Sequence, residues 1–88
     1  MDLSEQLLAS VPGLRNLKEP DTIDELMRQL GIISEAMETC EKMMEYAALS
    51  MQGEGTDLYL IDYRQLASRT KQLYAKESEL RIKKRSEK

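Results

Sequence analysis

Eighty-eight residues, 41% hydrophobic and 33% charged, allow one domain at most, or one supersecondary unit that leans on a partner, and they exclude a disordered polar tract. Phe and Trp are absent, so a large aromatic core is excluded, and the apolar mass is Leu, Ile, Met and Ala with four tyrosines. The net charge of −3 hides an asymmetry: residues 1–70 carry six Lys/Arg against thirteen Asp/Glu, residues 71–88 seven against three.

The chain divides into three segments and a tail. A short helix is expected from about Leu3 to Ser10, with Asp2 and Glu5 at capping-box spacing. Val11-Pro12-Gly13 ends it, and Leu14 and Leu17 lie in a connector to Pro20, so residues 1–20 form the first unit. Residues 21–80 read as a helical hairpin. Its first helix spans about Thr22 to Gln52, opened by the capping box Thr22/Glu25. Apolar residues recur there at steps of three and four: Ile23, Leu26, Leu30, Ile33, Met37, Cys40, Met44, Ala47 and Met51. Four heptads of such spacing hold one apolar seam on one helix face. Met27, Ala36, Met43 and Ala48 broaden the stripe, which suits a bundle with several neighbours. Gly31 costs a helix interior about 1 kcal/mol and so marks either a close approach or a bend.

Residues 52–57, Gln-Gly-Glu-Gly-Thr-Asp, read as the turn, with Gly53 as helix cap and Thr56 or Asp57 capping the second helix. A connection this short makes the flanking helices antiparallel neighbours. The second helix, about Asp57 to Arg85, carries Tyr59, Leu66, Leu73 and Leu80 seven residues apart, with Tyr63 and Thr70 between them. Leu60, Ala67 and Tyr74 run along an adjacent row. Beyond Tyr74, Glu77 and Lys84 replace apolar seam residues, so the last turns are expected to fray or to order on a partner, and residues 81–88 form a basic tail. The expected fold is all-α: an antiparallel helical hairpin with a short N-terminal helix, completing a four-helix bundle by dimerisation or partner binding. A lone seam buries too little for a hairpin of this length, which is why another surface is expected.

Chemistry is sparse. With no histidine, Ser-His-Asp and Cys-His arrangements and most zinc sites are ruled out, and one cysteine excludes a Cys-x-x-Cys cluster. Glu35, Glu38, Glu41 and Glu45 have helical spacing but lack the Glu-x-x-His partners of di-iron bundles, so they read as a solvated face. Gly53-Glu54-Gly55 lacks the Lys and the length of a phosphate loop. Cys40 lies in the seam as a small hydrophobe. No catalytic residue, cofactor or metal is expected. The acidic start has no secretory pattern and no stretch is long enough to span a membrane, so a cytoplasmic protein without membrane insertion is expected.

The function these features favour is a non-enzymatic protein-interaction module: an adaptor, assembly chaperone or regulator acting through its Met/Leu/Ile stripe. The expected interaction seam combines the nine heptad residues with Tyr59, Tyr63, Leu66 and Leu73, and the partner is a protein, either a second copy or a partner helix. In outline such a hairpin resembles the small co-chaperones of type III secretion needles and small bacterial and phage regulators, a likeness of shape alone. The alternative is a nucleic-acid-binding bundle in which Arg81, Lys83, Lys84 and Arg85 contact anions.

Overall fold

The computed structural model describes residues 3–50 and 56–86. They form helix α1 (Glu5–Ser10), a 3-10 turn (Pro12–Asn16), helix α2 (Ile23–Leu49) and helix α3 (Thr56–Ser86), with no strand among the described residues. α2 and α3 pack antiparallel along most of their length, giving a molecule of 59 × 19 × 17 Å.

Local sequence places the helix starts. Thr22 is extended, and its Oγ1 accepts the Glu25 N–H at 3.1 Å, so α2 opens where the capping box put it. Glu25 then grips Arg28 with two bonds, 2.9 Å from Nε and 2.6 Å from Nη2. Those bonds from Arg28, with one from Gln29, hold the Glu25 carboxyl down at about 2, against an ordinary 4.5. The same pairing raises the Arg28 pKa.

α1 begins later than Leu3. Ser4 caps it, with Oγ accepting the Leu7 N–H at 3.4 Å, and Asp2 lies outside the described residues. Ser4 suits the role because its hydroxyl proton has a second destination: it goes to Asp62 Oδ2 on α3 at 2.6 Å, while the Ser4 N–H reaches Oδ1 at 3.2 Å. One serine therefore starts α1 and ties it to the hairpin.

From Ser4 to Pro20 the chain forms a strap along one side of the hairpin. Leu7, Val11 and Leu14 are buried beneath it. They join Leu26, Ile33, Ala36 and Cys40 of α2 and Leu66 and Leu73 of α3 in one core. Polar ties hold its two ends: Tyr59 donates to Gln6, and Arg69 to Glu19 at 3.1 Å. Between them Gly13 passes over α2, where an added Cβ would stand 3.4 Å from Ile32 Cδ1. Gln29 is fully buried, and its Nε2 donates to the Lys18 carbonyl at 2.5 Å and to Glu25 at 3.2 Å.

The connector contains a 3-10 helix, Pro12–Asn16, whose Leu14 joins the core. Thr56 and Asp57 lie inside the first turn of α3, not ahead of it, where an acidic residue complements the positive helix end. The proposed turn residues 52–55 and the last seam residue, Met51, lie outside the described residues. α3 runs to Ser86, in keeping with the expected end near Arg85. Leu80 still packs against the core there, and Arg81 pairs with Glu77 at 3.2 Å across one turn.

Two measurements check this arrangement. Ser4→Ala removes a cap and leaves the buried Asp62 carboxylate short of a donor, so it should cost about 2 kcal/mol in urea denaturation. The Glu25 carboxyl is depressed in the folded state, so its contribution is present above pH 4.5 and lost as pH falls towards about 2. Arg28→Met should accordingly flatten the acid limb of the thermal stability profile in that window.

Candidate interaction surface

Two helices packed side by side leave two grooves, one on each side of their contact line. The strap fills the first. Asp62 and Arg69, one heptad apart on α3, face it, as do Gln29, Ile32 and Ala36 of α2. The second groove has no such cover within the described residues.

The expected seam divides between these surroundings. Leu26, Ile33 and Cys40 are buried, facing Leu66 and Leu73 across the hairpin. Ile23, Leu30, Met37 and Met44, a second row at seven-residue spacing, are only half-buried, as are Ala47, Tyr59 and Tyr63. The heptad pattern marks both rows alike, yet two helices can enclose only one between them. The second row lines the open groove.

Its rims are apolar too. On α2, Met27 is 51% exposed; on α3, Leu60 is 37% and Tyr74 57% exposed. Leu60 and Tyr74, of the row expected beside the seam, are thus exposed along this rim. Thr70 marks the level at which the helices cross: its hydroxyl donates to the Leu66 carbonyl at 2.9 Å and lies 3.9 Å from Met37 Sδ. Tyr63 is hydrogen-bonded to Glu41, whose charge, before burial and the bond itself, raises the phenol's pKa.

Elsewhere the chemistry is self-satisfied. A shallow cavity of about 240 Å³ lies where Glu19 meets α3, but its charges pair with one another: Arg69 with Glu19, and Lys76 with Glu79 at 3.8 Å. Among the described residues no group of three or more His, Cys, Asp or Glu is placed to hold a metal ion, and no helix is long and apolar enough to cross a membrane. Of the possible anion contacts, Arg81 is engaged by Glu77, Lys83 and Arg85 are exposed, and the Lys84 side chain lies outside what is described.

Sequence reasoning missed Asp62 and Gln29, which are buried although polar. For Gln29 a signal existed: it shares a heptad row with Ala36 and Met43, the broad edge of the stripe. Asp62 gave none, because its partner Ser4 lies 58 residues away.

The fold defines an all-α helical hairpin with an N-terminal strap. No family model, curated protein or solved structure matches the chain.

Cys40 supplies a test of the core assignment. Burial first, then the charges of Asp62 and Glu41, push its thiol up to about 11. At pH 8 the native protein should resist alkylation by iodoacetamide, with reaction appearing only under unfolding concentrations of urea.

Proposed function

We propose that the protein is a non-enzymatic protein-interaction module, an adaptor, assembly chaperone or regulator that receives another helical surface in the open groove of its hairpin. The observation that carries this reading is the row Ile23, Leu30, Met37 and Met44, only partly buried along α2 while Leu26, Ile33 and Cys40 beside it are fully enclosed. Apolar rims at Met27, Leu60 and Tyr74 widen the strip beyond the scattered single hydrophobic residues of an ordinary surface. Methionines repack around different side chains at low cost, which suits a groove that receives an amphipathic helix. A reducing compartment such as the cytoplasm suits the lone buried thiol.

Nucleic-acid binding through the α3 terminus is the second reading. The exposed Lys83 and Arg85 favour it; the acidic remainder of the chain opposes it. Titration with duplex and single strands at about 50 mM salt separates the two, since an electrostatic binder is strongest there.

The interaction reading is tested by photo-cross-linking in cells that express the chain. A benzophenone amino acid at Tyr74 or Met27 should give discrete protein adducts that Leu30→Glu abolishes. The same probe at Ser10, exposed on the strap, should not. Equal yields from the groove and from Ser10 would overturn the reading.

A further inference from the structure

We infer that the strap is a lid: residues 4–20 lift from the hairpin as one unit, turning on the extended stretch that joins Leu17 to Thr22, while α2 and α3 stay paired. This lid lies on the flank opposite the open groove and works whatever that groove receives. The strap's inner bonds, the kind of grip it has on the hairpin and a buried amide beneath it each point to this.

Within the strap the bonds are local and continuous. The Leu8 N–H donates to the Ser4 carbonyl at 3.0 Å, the Val11 N–H to that of Leu7 at 2.9 Å and the Leu14 N–H to that of Val11 at 3.1 Å. Arg15 reaches back to Glu5 at 2.7 Å and ties the 3-10 turn to α1. These bonds chain the segment into one body, yet a helix of six residues does not persist without packing. The strap therefore forms when Leu7, Val11 and Leu14 seat on the hairpin, and it melts when they leave.

Its grip on the hairpin runs through side chains. Ser4 holds Asp62, Gln6 holds Tyr59, the Lys18 carbonyl holds Gln29 and Glu19 holds Arg69. Among the described residues no backbone-to-backbone bond joins the strap to α2 or α3. The long helices do not need it to form. α2 has its own cap in Thr22, whose Oγ1 accepts the Glu25 N–H. Leu26, Ile33 and Cys40 face Leu66 and Leu73 across the hairpin, and Met37 lies beside Thr70 on the far flank. The ends of the joining stretch are extended, Leu17 at φ −74°, ψ 124° and Thr22 at φ −129°, ψ 159°, so neither helix runs into the strap.

Closure also leaves a polar atom unpaired. Gln29 is fully buried, and its Oε1 has no donor among the described residues although its Nε2 has two acceptors. A buried amide oxygen without a donor opposes the closed state, and water reaches it once the Lys18 segment lifts. Closed, the hairpin has one bare flank. Lifted, it has two, and the second offers the acceptors of Asp62 and Gln29 beside Ile32 and Ala36.

The test is hydrogen exchange of the full chain, followed amide by amide by NMR. The expected result is one shared protection factor for the Leu8, Val11 and Leu14 amides, at least tenfold below those of Ile33 and Leu66. Met37→Ala should lower protection at Ile33 and Leu66 at least tenfold and leave the strap unchanged, since Met37 packs on the hairpin core with the lid down or up. Equal protection in strap and hairpin would overturn the inference. So would strap amides that each exchange at a different rate, or a Met37→Ala loss shared by strap and hairpin alike. Should Met37→Ala not fold, the wild-type chain in urea below its unfolding range decides. Strap exchange should then rise less steeply with urea than that of Ile33 and Leu66, and a common slope would overturn the lid.

Discussion

A helix that is apolar over a broad stripe needs more than one neighbour, and a hairpin supplies only one. When α3 packs against α2 it encloses Leu26, Ile33 and Cys40 completely but leaves the rows on either side to find other cover. The strap of residues 3–20 covers one flank, burying its own Leu7, Val11 and Leu14, with Gly13 against Ile32 and Lys18 bonded to Gln29. On the other flank Leu30, Met37 and Met44 remain only partly buried. This imbalance between stripe width and available partners organises the molecule and underlies the proposed function.

Asp62 and Gln29 show what it takes to lay the strap down. A carboxylate 1% exposed is tolerable only with donors, and Ser4 provides both its N–H and its hydroxyl. Gln29, itself fully buried, likewise donates to the Lys18 carbonyl. Its own Oε1 has no protein partner among the described residues, so the cost is not fully recovered there. These polar anchors fix where the strap lies; the leucines beneath it supply most of the free energy. Among the described residues no comparable strap is anchored over the open groove, and its side chains stay partly accessible.

Much of the fold was legible because its determinants are local. Thr22 and Glu25 lie three residues apart, and Met37 and Met44 one heptad apart, so caps and periodicity appear in any short window. The second helix was read only partly. Tyr74 looks as apolar as Leu73, but one points into the strap-covered core and the other lies 57% exposed. The extent of α3 to about Arg85 was legible, but the contacts that accompany its last turns, the i,i+4 bond from Arg81 to Glu77 and the packing of Leu80, were not.

By itself the sequence determined the two long helices, the Thr22-capped start of α2 and the antiparallel pairing, since these depend on spacing and residue type along the chain. Only the tertiary structure decided which of the two seam rows is enclosed and which is offered outward. That choice depends on the side from which residues 3–20 approach. Ser4 fixes it by meeting Asp62 and Glu19 by meeting Arg69, contacts between residues 58 and 50 positions apart that no periodicity within either segment encodes.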